Sequence, residues 1–186
     1  MAVSELQQAQ RIAREVLTNV SAGQLDGPTP CAKWNVAQLI DHLVGAQHWA
    51  RSAMAGEEMT ETGEGASSGD FVAAFDDAAQ RSLAAFEEDG ALGRTVNPGF
   101  GDMPGAALLG LATTDTFTHA WDVAKATGQD TNLDADLAKQ LLKAAQASIQ
   151  EGFRDPEGNI FGLEQKAPDS ATPADQLAAF LGRTVG

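Results

Sequence analysis

The sequence predicts an all-α protein, an up-and-down four-helix bundle with additional helices at its C-terminal end. Three observations carry this. Apolar residues recur at spacings of three and four over long stretches. Capping residues stand where those stretches begin, and strand-like alternation is scarce.

A first helix is predicted over residues 4–22. Leu6, Ala9, Ile12, Ala13, Val16, Leu17 and Val20 share one face, and Ser4 with Gln7 has the pattern of a capping box. Residues 23–34 contain Pro28 and Pro30 and form a loop. Asn35 and Gln38 make a second capping box, opening a helix whose stripe is Val36, Leu39, Ile40, Leu43 and Ala46. Residues 56–69 are polar, acidic and glycine-rich, which predicts a mobile connection. The third helix spans residues 70–88, with Phe71, Phe75, Ala78, Leu83 and Phe86 inward. Pro98, Gly99, Gly101 and Pro104 allow residues 94–105 at most a short extended piece. A long fourth helix over residues 105–127 ends at Gly128, suited to a left-handed cap. A fifth covers residues 134–152. Thr172 as N-cap and Pro173 as first helical residue begin a short last helix through Leu181.

A chain of 186 residues suits one domain, 1–186, with residues 153–186 as a C-terminal appendage. At this size the core needs no disulfide, and the single cysteine, Cys31, cannot form an internal one. Cys31 is expected to be a small buried apolar residue, and Trp34, Trp49 and Trp121 to lie in the core. No signal-peptide pattern opens the chain, and no apolar run reaches the roughly 20 residues of a membrane span. The net charge of −14 repels phosphate backbones and anionic lipid. The expectation is a cytoplasmic protein with neither nucleic-acid nor membrane partners, whose assembly is open, a homodimer included.

Chemistry concentrates on few residues. The histidines are His42, His48 and His119. Asp115 and His119 stand four apart on the fourth helix and share a face with Leu108, Ala112 and Val123. A carboxylate and an imidazole on an inward face need each other or a metal. His42 sits at the edge of the second helix's buried stripe. Two facing helices can therefore bring His42, Asp115 and His119 to one point, with coordination positions left open as in reactive sites. A plain hydrogen-bonded Asp–His pair satisfies the same spacing, and at this level both remain open. His48, six residues after His42, lies about 120° around the helix and is expected at the surface or against a loop. Glycine-rich phosphate loops, nucleophile elbows and paired-cysteine motifs do not occur, and no catalytic side chain is assigned.

Several stretches resemble a known family. They are Thr29-Pro30-Cys31-Ala32-Lys33-Trp34-Asn35-Val36, Leu39-Ile40-Asp41-His42-Leu43-Val44-Gly45, the run from Asp115 through His119-Ala120-Trp121-Asp122 to Ala126-Thr127-Gly128-Gln129, and the ending Ala171-Thr172-Pro173 with Phe180-Leu181-Gly182-Arg183. The chain resembles the metal-binding, mycothiol-dependent maleylpyruvate isomerase N-terminal domain type, within the DinB-like four-helix-bundle superfamily. That resemblance implies a divalent metal, commonly zinc with nickel as the alternative, held by His42, Asp115 and His119. The isomerase has a glutamate where this chain has Asp115. It also carries a second, C-terminal domain that a chain of this length does not include, so maleylpyruvate isomerisation is not the expected activity. The function implied is a metal-dependent thiol transferase: the metal lowers the pKa of mycothiol or a similar thiol, which attacks an electrophile at the bundle mouth near residues 94–105. Asp122 or Asp41 would orient a ligating imidazole. The alternative is a non-catalytic metal- or small-molecule-binding bundle in stress response or regulation.

Overall fold

The computed structural model describes residues 1–155 and 161–185. Six α-helices carry the fold: α1 (Val3–Thr18), α2 (Val36–Ala55), α3 (Phe71–Glu87), α4 (Gly105–Ala126), α5 (Ala135–Ser148) and α6 (Pro173–Phe180). The only sheet among the described residues is a two-residue antiparallel pair, β1 (Thr95–Val96) and β2 (Met103–Pro104), in the proline- and glycine-rich stretch before α4. The chain is thus all-α. No helix among the described residues is long and apolar enough to cross a membrane.

Local chemistry explains most helix boundaries. Asn35 Oδ1 accepts from the Gln38 N–H at 2.9 Å while Gln38 Oε1 accepts from the Asn35 N–H at 3.0 Å, the expected capping box of α2. Asp70, Asp134 and Thr172 cap α3, α5 and α6. The start of α1 differs from expectation. Ala2 is the N-cap, and the Glu5 carboxylate accepts from the Ala2 N–H at 2.6 Å, so Ser4 lies inside the helix. The same helix stops at Thr18 rather than near residue 22, and a 3-10 turn, Ala22–Gln24, follows.

α2 packs against α3 and α4, and α1 packs against the same two, so the order around the bundle is α1–α3–α2–α4. Residues 19–35 therefore cross an end of the bundle to reach the opposite corner. Two apolar clusters fill the interior. One includes Leu39, Leu43, Phe75, Phe117 and Trp121, the other Leu6, Met54, Phe86, Leu108 and Leu109. Between them in sequence on three helices lies a buried polar chain: Gln10 Nε2 donates to Gln47 Oε1 at 2.9 Å, and Gln47 Nε2 donates to Thr116 Oγ1 at 2.8 Å. With these bonds made, the three side chains resist sliding of α1, α2 and α4 past one another, because a shifted register would strand buried amides.

One region departs from the sequence picture. Residues 56–69 are tied down rather than loose. Asp41 accepts the Gly65 and Ser67 N–H groups, and Glu61 pairs with Arg81. Gly45 of α2 and Gly63 of the loop meet backbone to backbone, and a Cβ on Gly45 would fall on the Thr62 carbonyl oxygen. The C-terminal segment, for its part, enters the main core through Ala174, Leu177, Ala178 and Leu181. α6 is fastened to α4 by the Trp121 indole N–H, which donates to Asp175 Oδ1 at 2.9 Å.

Candidate metal centre

Adjacency of α2 and α4 brings His42 against the Asp115–His119 turn. His42 Nε2 lies 3.5 Å from Asp115 Oδ2, and His119 Nε2 lies 3.4 Å from Asp115 Oδ1. Donor atoms of the three residues all fall within 4.8 Å of one another. His42 Nε2 and Asp115 Oδ2 are shut off from solvent and have no hydrogen-bond partner, which is costly unless another species completes them. The separations are long for hydrogen bonds. They equal the edge of a tetrahedron whose corners stand roughly 2.1 Å from its centre, about 3.4 Å, as zinc ligands do. Two imidazoles and one carboxylate are also a donor set that suits zinc and nickel. The residues present thus fit a divalent ion.

The back of His119 is held firmly. Its Nδ1–H donates to Asp122 Oδ2 at 3.0 Å, which directs the Nε2 lone pair toward the other two donors. Asp122 is fully buried and receives Arg183 through Nη2 at 2.9 Å and Nε at 3.2 Å. Burial alone would raise the Asp122 carboxyl; the Arg183 guanidinium and His119 reverse this and hold it at about 2. Asp115 behaves alike: burial pushes its carboxyl up, and the charges of His119 and His42 bring it far below the usual range. Burial lowers His119, but the Asp115 carboxylate dominates and raises it well above an ordinary histidine.

Other expected residues fall differently. Cys31 is half-buried, not apolar filler. Its thiol donates to Asp122 Oδ2 at 3.2 Å, and its sulfur lies 3.9 Å from His119 Nδ1. Cys31, His119 and Asp122 also converge closely enough to hold an ion, but the Arg183 guanidinium already sits against Asp122 and Cys31. Its positive charge repels a second cation from that side. Trp121 is core, as expected. Trp34 instead stacks on His42, with ring centroids 4.6 Å apart, and Trp49 is half-buried with its N–H on the Pro98 carbonyl. Asp122 orients His119, whereas Asp41 serves the loop. His48 is 9% exposed and turned to the loop, with Nδ1 3.6 Å from Glu61. Arg183 escaped sequence reasoning as a site residue, since nothing local marks a pairing across 61 positions.

A cavity of about 490 Å3 opens beside Asp115 and His119, walled by α4, α5, the β1–β2 hairpin and the C-terminal segment.

These features define a DinB-like helical bundle with a candidate three-donor centre between two of its helices. The chain belongs to the mycothiol maleylpyruvate isomerase N-terminal domain family, whose model it matches over residues 6–124. That span contains His42, Asp115, His119 and Asp122 but not Arg183. Uncharacterised proteins from two strains of Mycobacterium tuberculosis are each 44% identical to it over 183 residues, 96% of either chain. No solved structure matches the chain significantly.

Proposed function

We propose that the protein is a metal-dependent thiol S-transferase-like enzyme. His42, Asp115 and His119 hold one divalent ion, zinc by preference and nickel as the alternative. A low-molecular-weight thiol, mycothiol or one similar, is the nucleophile that meets a small electrophile. The observation that carries this is the pair of solvent-excluded, unpartnered donors, His42 Nε2 and Asp115 Oδ2, facing each other beside His119 Nε2. Membership of a family named for a mycothiol-dependent isomerase supports the choice of thiol.

The ion, when bound, supplies a Lewis acid beside which a thiol ionises near neutral pH. The protein's own groups do the rest. His42 and His119 present nitrogen donors, and Asp115 contributes the negative charge that favours a cation there. Asp122 keeps the His119 ring in one tautomer and one orientation. Trp34 covers one face of the His42 ring, while the cavity reaches the site at Asp115 and His119. A reducing cytoplasm is the compartment this chemistry requires, because the thiol must stay reduced.

Variants of the histidines check the donor set by zinc titration. His42→Ala is expected to weaken zinc binding by more than the 10–100-fold that outer contacts typically cost. His48→Ala should leave affinity within about twofold, since His48 faces the loop. Equal losses in both would reject the assignment.

Cobalt-substituted protein tests the thiol. Mycothiol should change the visible spectrum of the cobalt and release about one proton per site, because a thiol ionises on coordination. Silence toward mycothiol and related thiols would overturn the transferase reading. A spectral change without turnover across a broad electrophile panel would leave a non-catalytic binding bundle.

A further inference from the structure

The wall of the cavity beside Asp115 and His119 has a chemistry that thiol activation does not require. Its larger apolar side chains include Trp49, Phe100, Met103, Leu111, Ile149 and Phe161. Phe100 is 67% exposed at the tip of the β1–β2 hairpin, between two glycines of positive φ, and its ring stacks toward Trp49 with centroids 6.3 Å apart. The hydroxyls on the wall are mostly spent. Thr114 Oγ1 donates to the Gly110 carbonyl and Ser148 Oγ to the Ala144 carbonyl, each at 2.9 Å. Thr118 Oγ1 has no partner. A concave, largely apolar space of this volume with a few polar groups gathered together is the ordinary form of a small-molecule site.

Charge decides what fits. Among the described residues Arg183 is the one lysine or arginine side chain on the wall, and its guanidinium is already matched by Asp122 and by the Leu181 carbonyl, 3.0 Å from Nη1. An anionic ligand would lose its hydration against apolar side chains, next to the Asp115 carboxylate, with no uncommitted arginine or lysine to receive it. A hydroxyl-rich thiol would likewise leave its hydroxyls unpaired in this space.

We propose that the cavity holds the electrophile, and that this partner is a neutral, mainly apolar molecule of about arylalkyl size. The assignment rests on the transferase reading for the molecule's role, but its binding stands on the cavity alone. A dicarboxylate such as maleylpyruvate is the wrong class for this wall, whatever the family name.

Calorimetric titration with two probes of matched size tests the assignment: 4-phenyl-2-butanone, which is neutral, and 3-phenylpropionate, which is anionic. The ketone should bind at least about tenfold more tightly, because only the carboxylate must bury an unpaired charge. A Cβ at Gly110 meets only Met1 Cγ, at 3.7 Å, so side chains there grow into the cavity rather than the core. Gly110→Ala should retain ketone binding, and Gly110→Phe should reduce it at least about tenfold with the melting temperature unchanged. Equal or tighter binding of the carboxylate would overturn the ligand class. Unimpaired ketone binding by Gly110→Phe would overturn the location. Repeating the ketone titration on chelated protein separates the two readings. Ketone binding that persists there supports the cavity even if cobalt ignores every thiol, while its loss from both forms removes the cavity and leaves the thiol test standing.

Discussion

Purified protein is expected to carry about one zinc or nickel ion per chain, and chelation to lower its melting temperature by roughly 5–10 °C. An ion bound only by the folded state stabilises it by about 2.7 kcal/mol when free metal exceeds Kd a hundredfold. For a chain of this size each kcal/mol shifts the midpoint by about 2–4 °C. His119→Ala should bind no ion and show no chelator-dependent shift. The effect carries a pH sign. In the metal-free protein, His119 is raised above 6.5 and Asp115 lowered below 3.8. Their mutual stabilisation is therefore complete between those ordinary values, fades as pH rises through the folded value of His119, and is lost in acid as Asp115 protonates. A cation must displace the His119 proton, so affinity falls as pH drops. Differential scanning calorimetry with and without chelator should show a larger shift at pH 8 than at pH 6. Identical curves at both, with no metal on elemental analysis, would leave Asp115 and the two imidazoles as an ion-free cluster.

Breaking the buried Asp122–Arg183 pair should destabilise the fold by about 3–5 kcal/mol, or roughly 10 °C or more, because one charge is stranded without compensation. Asp122→Asn and Arg183→Met should each show most of this loss. The double variant should recover part of it, giving a coupling above about 1 kcal/mol in a denaturant cycle. Strict additivity would mean the two charges are solvated independently. Asp122 is held at about 2 against an ordinary 3.8. Its contribution is thus present above about pH 4 and disappears as pH falls through about 2, so the gap between wild type and Asp122→Asn should narrow over that interval. Asp122→Asn also keeps an acceptor for His119 Nδ1–H, and its zinc affinity should fall only by the 10–100-fold of an outer-contact change.

Much of the fold was legible because helices announce themselves locally. The Asn35–Gln38 box, the expected start of the third helix at residue 70, the Thr172 cap and the Gly128 stop mark α2, α3, α6 and α4 within a residue or two of their places. The same local rules misplaced the start of α1, where Glu5 bonding to Ala2 outcompetes Ser4 with Gln7. They also described residues 56–69 as loose, because composition does not show that Asp41, Arg81 and the Gly45 backbone lie beneath that loop. Nothing local marks Gln10 and Gln47 as buried; their hydrogen bonds to each other, to the Ala79 carbonyl and to Thr116 satisfy them there.

The division at the candidate site has the same cause. Asp115 and His119 share a helix turn, so their proximity follows from 3.6-residue geometry alone, and the polarity of that turn amid apolar neighbours marked it as chemical. Sequence by itself therefore determined the helices, their inward faces and two of the three candidate donors. Whether His42 reaches that turn depends on α2 lying beside α4 across the bundle, a matter of packing between elements distant in sequence. Tertiary structure alone placed Arg183 and Cys31 behind His119 and raised the apolar cavity in front of it, because pairings across 61 and 91 positions leave no periodic trace in the chain.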